Sequence, residues 1–367
     1  MRIVVYYLSA EDKGGLFVLK NFYQDAISCG RSDIDWVFLI SIDGLDETDH
    51  VKVIRLPKGN ALQRLVFENT KLSSVVNSLN PDLIISLQNM PIRGCKQPQF
   101  VYLHQSLQYC PKSFSFLKPA ERAMAFRQHL ICEMYHRALP KAHHIFVQTE
   151  WIKEATAKWI RRDERDITVV LVSIDSASVP VKEYIGQKSR AFFYPARPEI
   201  YKNIDVIIDA CRKLSAWGVD DYHVKLTFSP TDNAYAKEIE NRIGDLPIEL
   251  IGTVPYEQIW DYYSSSILLF PSYLETCGVP LIEARTAGTR IIASDLPFAH
   301  EALDGYPNVK YFPYNDSEKL AEIMKEALEN PEYQETRERN SLAEKSLAAE
   351  MLRVYESSVL NKHTVTL

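Results

Sequence analysis

The sequence predicts an α/β protein built as two parallel-sheet domains, and three observations carry that reading. Short apolar runs alternate with longer segments of helical period, the pattern of strands joined by covering helices. The alternation breaks once, in a stretch of Ser, Pro, Gly and charge, and then restarts. The chain's 367 residues exceed one ordinary domain.

In the first half the expected strands are 3–8, 35–40, 52–54, 83–87, 100–103, 145–148 and 168–172. Helical period fills 16–28, 61–79, 119–139 and 152–161 between them. The rhythm resumes with strands at 191–194, 224–228, 248–251, 267–270, 290–293 and 310–312. The expected domains are therefore 1–172 and 190–344, with 173–189 as linker. Beyond Pro331 the chain reads as a long helix to about residue 360, so that a C-terminal helix of about 345–367 would pack back on the first domain.

Apolar residues make up 46% and charged residues 25%, enough for each half to bury its own core. The six cysteines form no C-x-x-C pair, which argues against a zinc site or disulfide framework and for a reducing compartment. Ile3-Val4-Val5-Tyr6-Tyr7 follows Met1 closely and reads as a strand instead of a signal peptide. No apolar run reaches the length of about 18 residues that spans a bilayer. A net charge of −6 argues against a general nucleic-acid binder. The expected location is cytoplasmic.

Ligands of parallel sheets bind beyond the carboxyl ends of the strands. There the most informative segment is LLFPSYLETCGVPLIEARTAGTRIIASD, Leu268 to Asp295. A strand ends at Pro271, a loop carries Glu275, and a helix begins near Gly278-Val279-Pro280. Proline suits a first helical turn, and the amides there make an anion site fit for a diphosphate. Glu283 lies one turn inside, where a carboxylate can accept two hydrogen bonds from a vicinal diol. Upstream, Tyr194-Pro195-Ala196-Arg197-Pro198-Glu199-Ile200-Tyr201-Lys202-Asn203 places two cations between a strand and a helix. Fixed cations there can stabilise a departing diphosphate without a metal. No D-x-D pair stands at a strand's carboxyl end to hold a divalent ion; Asp33-Ile34-Asp35 opens a strand, on the opposite edge.

This segment resembles the signature of family-four retaining glycosyltransferases (glycosyl transferases group 1), PS-x-x-E-G-F-G-L-P-x-x-E-A-x-A-x-G-T-P-V-I-A-S. Pro271, Ser272, Glu275, Gly278, Pro280, Glu283, Ala284, Gly288, Thr289, Ile292, Ala293 and Ser294 match in register. Thr276-Cys277 stand where Gly-Phe is usual, Thr286 where a small alanine is usual, and Arg290 where proline is usual. The resemblance implies the GT-B fold, two Rossmann-like domains facing a cleft, with a nucleotide diphosphate sugar as donor and no cofactor or metal. It implies that Glu283 binds the ribose diol, that Glu275 meets the transferred sugar, and that Thr276, Cys277 and Gly278 lie near that sugar and the diphosphate. The spacing of Arg197 and Lys202 matches the family's diphosphate-binding pair. Gly252-Thr253-Val254-Pro255 resembles its base-contacting loop, although the residues alone read equally as an ordinary turn.

In the first domain, Gly14-Gly15 follows the first strand, either as a flexible turn or as a close approach of backbone to phosphate. His104 ends the strand 100–103, where a histidine can donate to a sugar hydroxyl or accept its proton. The resemblance places a glycine pair and a histidine at these points. The expected catalytic set is Glu275, His104, Arg197 and Lys202, and the expected reaction is transfer with retention to a carbohydrate or lipid-linked glycan acceptor. Polysaccharide or glycoconjugate assembly is the setting the family suggests. A sugar-nucleotide epimerase of the same architecture and an inactive nucleotide-sugar-binding subunit are the alternatives. The stretch 112–141, rich in Lys, Arg and Phe, reads either as a core helix with a basic solvated face or as a surface that touches the inner face of a membrane.

Overall fold

The computed structural model describes residues 1–9, 13–57, 59–171, 183–330, 332–334 and 346–364. The chain divides into two compact units. Met1–Gln105, His129–Ser173 and Ala343–Leu367 form the first, and Ser106–Gln128 with Ile174–Leu342 form the second. The segment Ser106–Gln128 thus groups with the second unit, although it lies between two strands of the first in sequence.

Among the described residues the first unit holds strands β1 (Arg2–Tyr7), β2 (Asp35–Ile40), β3 (Val51–Arg55), β4 (Leu83–Ser86), β5 (Gln99–Leu103), β6 (His144–Val147) and β7 (Ile167–Val169). They form one parallel sheet in the order β3-β2-β1-β4-β5-β6-β7. Alternation along β1 sends Ile3, Val5 and Tyr7 to one face and Val4 and Tyr6 to the other. The first face is covered by helix Lys13–Ser28, whose Leu19, Phe22, Tyr23 and Ala26 recur at helical spacing. Helix Leu347–Thr364 joins the same core through Ala348, Met351 and Leu352. Asp25 Oδ2 accepts from the Leu347 amide at 2.8 Å, and Arg31 pairs with Glu356 at 2.7 Å.

Two predicted helices differ in detail. The one expected over 61–79 is two, Ala61–Thr70 and Leu72–Ser78. Asn69 and Thr70 donate their side chains back to the carbonyls of Leu65 and Val66, a competition that bends helices. The stretch expected as helix over 119–139 runs through a 3₁₀ turn at Pro119–Glu121, a π turn at Arg127–Ile131 and α-helix at Cys132–Ala138. Residues 173–182 of the expected linker and 335–345 of the expected long helix lie outside the described residues. Gly14 and Gly15, expected before a helix, stand in its first turn.

The second unit holds β8 (Ala191–Tyr194), β9 (His223–Leu226), β10 (Ile248–Leu250), β11 (Ile267–Phe270), β12 (Ile291–Ser294) and β13 (Val309–Phe312). They pair in parallel in the order β10-β9-β8-β11-β12-β13. Each sheet reverses its winding once, between β1 and β4 and between β8 and β11. At such switch points the connections diverge and leave a crevice at the carboxyl edge.

Candidate functional site

Of the residues singled out after β8 and β11, Lys202 and Glu275 come together at the second switch point. The 3₁₀ turn Ile200–Lys202 is stopped by Asn203, whose φ of 59° is one of the few left-handed conformations a non-glycine residue adopts here. Asn203 Nδ2 donates to the carbonyls of Pro271 (3.0 Å) and Tyr314 (2.7 Å), so one side chain ties the ends of β8, β11 and β13. Ser272 Oγ and the Tyr273 amide both donate to the Tyr201 carbonyl. Lys202 is thereby held, and its ammonium lies 2.5 Å from Glu275 Oε1 with each side chain 14% exposed. It also stands over the rings of Tyr201 and Phe270. Burial pushes the Tyr201 phenol well up; Glu275 raises it further and Arg197 lowers it, which puts the exposed Arg197 guanidinium in the same neighbourhood.

Helix Val279–Thr286 starts from Gly278, buried and left-handed at φ +62°. A Cβ there would stand 3.1 Å from Leu281 Cδ1 and would carry the strain of a positive φ, so the turn into the helix favours glycine. Thr276 is part-buried, and burial pushes the Cys277 thiol up to about 11. Glu283 is 7% exposed, and both of its oxygens accept from tyrosines: Oε2 from Tyr263 at 2.8 Å and Oε1 from Tyr256 at 3.0 Å. Burial holds its carboxyl above the usual range, against the lowering effect of those two hydrogen bonds. Each carboxylate oxygen keeps capacity for a further donor. Exposed Thr253 and part-buried Val254 lie in the loop after β10, just ahead of helix Tyr256–Ser265.

Two of the three departures from the family pattern have local structural causes. Thr286 Oγ1 donates to the Ile282 carbonyl one turn back at 2.8 Å. Arg290 enters β12 at its amino edge, buried, and donates to the Ala327 carbonyl in the last turn of helix Ser317–Glu329. Cations suit such helix ends.

In the first unit His104 follows β5. Its amide donates to Asn89 Oδ1 at 2.9 Å, and Nε2 lies 3.1 Å from the Leu87 carbonyl and 3.4 Å from Tyr7 Oη. A carbonyl only accepts, so Nε2 is the donor in that contact. Gly15 is buried and Gly14 exposed at the start of helix Lys13–Ser28.

Sequence reading missed Asn203 as the knot of the site and Tyr256 and Tyr263 as the partners of Glu283. The tyrosines, seven apart, share one face of their helix, and that spacing was the available signal. Among the described residues no group of three or more His, Cys, Asp or Glu side chains is placed to hold a metal ion. No described helix is long and apolar enough to cross a membrane.

Residues 177–344 match the family described as Glycosyl transferases group 1. The chain is 26% identical over 192 residues to the O-antigen chain mannosyltransferase RfbU of Salmonella typhimurium, covering 50% of this chain and 52% of that protein. It thus spans about half the length of that relative. The fold is similar to sucrose-phosphate synthase from Thermosynechococcus elongatus (TM-score 0.71, 16% identity, 98% of this chain and 100% of that one). It is also similar to Anabaena HepE solved with UDP and glucose (TM-score 0.60, 15% identity, 90% of each chain). Residues 177–344 are thus similar to the glycosyl transferases group 1 family, within a chain that has the GT-B fold of two Rossmann-like parallel-sheet domains.

Proposed function

We propose that this protein is a retaining, metal-independent glycosyltransferase that moves a sugar from a nucleotide diphosphate sugar to an acceptor hydroxyl. The observation that carries this reading is the Lys202–Glu275 pair at the β8/β11 switch point, beside Arg197 and the start of helix Val279–Thr286. It offers cations to a diphosphate and a carboxylate to a sugar hydroxyl within one crevice. In the reaction the bond from the anomeric carbon to the diphosphate oxygen breaks, and a bond to the acceptor oxygen forms on the same face. The acceptor's proton passes to the departing diphosphate. Arg197 and Lys202 stabilise the charge that grows on the leaving group, which is where such electrostatic help lowers a barrier. Glu283 takes the ribose diol, while the backbone at Thr253, Val254, Thr276, Cys277 and Gly278 lines the base, sugar and diphosphate. His104 and the Gly14-Gly15 turn serve the first domain's side of the reaction.

The setting we propose is polysaccharide or glycoconjugate assembly on a carbohydrate or lipid-linked acceptor in the cytoplasm. The likeness to a mannosyltransferase of O-antigen chains supports it. A peripheral contact with the inner membrane face is supported by exposed Phe116, Leu117 and Phe126 in the basic segment 112–128. Thermal shift with UDP, GDP, UDP-glucose and GDP-mannose tests the donor site, because a ligand of the folded state raises its melting temperature. One nucleotide should stand out and lose its effect in the Arg197→Ala/Lys202→Ala variant. No shift with any of them would remove the assignment. Free nucleoside diphosphate released as fast without acceptor as with it would favour an epimerase.

A further inference from the structure

The second unit carries a cavity of about 560 Å³ at the edge of its sheet opposite Lys202 and Glu275. Its floor is made where three neighbouring parallel strands begin, by Ile267 of β11, Ile291 of β12 and Val309 of β13. Each strand is four residues long, so the two edges lie on the order of 10 Å apart. Ligands of such sheets ordinarily gather at the carboxyl edge. A site at the amino edge therefore needs side chains of its own, and this cavity has them.

Arg290 lines the cavity and is only 7% exposed. Its Nη1 donates to the Ala327 carbonyl at 3.0 Å, which helps to fix the plane of the guanidinium. Burial lowers the pKa of this group, against the raising effect of Tyr184, Glu326 and Glu332. Both glutamates are exposed, and Glu326 already pairs with Lys310, which also lines the cavity. An anion inside would meet the guanidinium away from water, where the attraction is stronger. Proline is usual at this point of the family's pattern, so the cation is a feature of this chain.

The opposite wall is aromatic and firmly held. Asn308 clamps residues 332–334 by donating to the Gln334 carbonyl at 2.8 Å and accepting from its amide at 2.9 Å. The Tyr333 ring packs 4.9 Å from that of buried Tyr184, whose hydroxyl donates to the Ser266 carbonyl at 3.1 Å. The cavity thus sets a flat, fork-shaped cation against isoleucine, valine and a tyrosine ring. A guanidinium takes two oxygens of a carboxylate or phosphate side by side, and a ring packs well on a ring. Ligand sites run to about 300–1,000 Å³, and this volume falls inside that range.

We propose that this cavity binds a small aromatic oxyanion, a ring bearing a carboxylate or phosphate, with the charged group on Arg290 and the ring against Tyr333. The site is independent of the transferase reading. The test is calorimetric titration of the full chain with 4-hydroxybenzoate and phenyl phosphate, which separate the two kinds of anion. Phenol, acetate and inorganic phosphate each lack one half of the ligand. At least one ringed anion should bind about tenfold or more tightly than all three. Its affinity should fall by about tenfold or more in Arg290→Met and in Gln334→Trp. The tryptophan fills the mouth but keeps the bonds from Asn308, which go to the backbone of residue 334, so this variant still decides if Arg290→Met fails to fold. The same binding should persist in Arg197→Ala/Lys202→Ala. Loss in that double variant would put the anion in the donor site and overturn the proposal. So would wild-type affinity in Gln334→Trp, equal binding of inorganic phosphate or acetate, or no binding of either ringed anion.

Discussion

The ammonium of Lys202 stands 2.5 Å from Glu275 Oε1 at the carboxyl edge of the second sheet, with both side chains 14% exposed. A pair this enclosed interacts strongly, and removing one partner strands the other, at a cost of about 3 kcal/mol. Lys202→Met should therefore lower stability by about that amount in urea titration and also weaken nucleoside diphosphate binding. Glu275→Gln should do something less obvious. It releases Lys202 to the diphosphate, so UDP or GDP affinity should rise by about tenfold, about 1.4 kcal/mol, while sugar transfer falls. Calorimetric titration checks this; unchanged or weaker nucleotide binding in Glu275→Gln would show that the two do not compete for Lys202.

The Glu283 carboxylate separates into a buried half, served by Tyr263, and an outer half, served by half-exposed Tyr256. Tyr263→Phe removes a hydrogen bond to a buried carboxylate and should cost about 1.5–3 kcal/mol of stability. Tyr256→Phe should cost less, about 1 kcal/mol, since half-exposed Tyr256 already competes with water for this hydrogen bond. Paired denaturation curves check the asymmetry, and equal losses would sink it.

Part-buried beside the rings of Phe100 and Phe146, His144 is pulled down to about 4 by desolvation, against the raising effect of Asp166. An unfolded histidine protonates near pH 6.5. Between these values the unfolded chain binds a proton that the folded chain does not. Its contribution to stability is thus complete above pH about 6.5 and is lost as pH falls toward about 4. His144→Gln is neutral throughout, so the wild type's advantage in melting temperature should shrink as pH falls over this window. A constant gap would show that His144 does not titrate in this way.

Phe116, Leu117 and Phe126 are 49%, 89% and 50% exposed, and Arg122 Nε donates to the Phe116 carbonyl, which fastens the apolar loop to a basic helix. Glu121, in the same segment, is buried, and Lys112 and Lys118 pair with it. Anionic lipid attracts each nearby cation by about 1 kcal/mol. The protein should float with phosphatidylglycerol vesicles, less so with added salt, and should not float with phosphatidylcholine alone. Phe116→Asp/Leu117→Asp should abolish flotation; equal flotation of the variant would exclude this face.

Much of the fold was legible because β1, β2, β4 and β11 are buried on both faces and so read as nearly unbroken apolar runs. The position of Glu275 and Glu283 was legible for a related reason, since Gly278 and Pro280 mark a helix start by their backbone limits alone. What the sequence concealed depends on contacts between distant segments. Nothing local in Asn203 announces that its amide reaches Pro271 and Tyr314, 68 and 111 residues away. The grouping of 106–128 with the second unit is concealed in the same way: the ring of Phe114 lies 6.4 Å from that of Tyr273, a pairing no periodicity encodes.

The helix Leu347–Thr364 brings Ala348, Met351 and Leu352 into the core formed by the first strands. A ribosome making this chain therefore finishes the first unit last. After residue 173 it must translate the whole of 174–342 before the closing helix emerges. At about 5–20 residues per second that is a wait on the order of 10–30 s, during which the face over Leu19 and Phe22 stays partly uncovered. The amino-terminal unit is thus the one left incomplete during synthesis, and a chain arrested at residue 173 should be cut by protease where the finished protein is not.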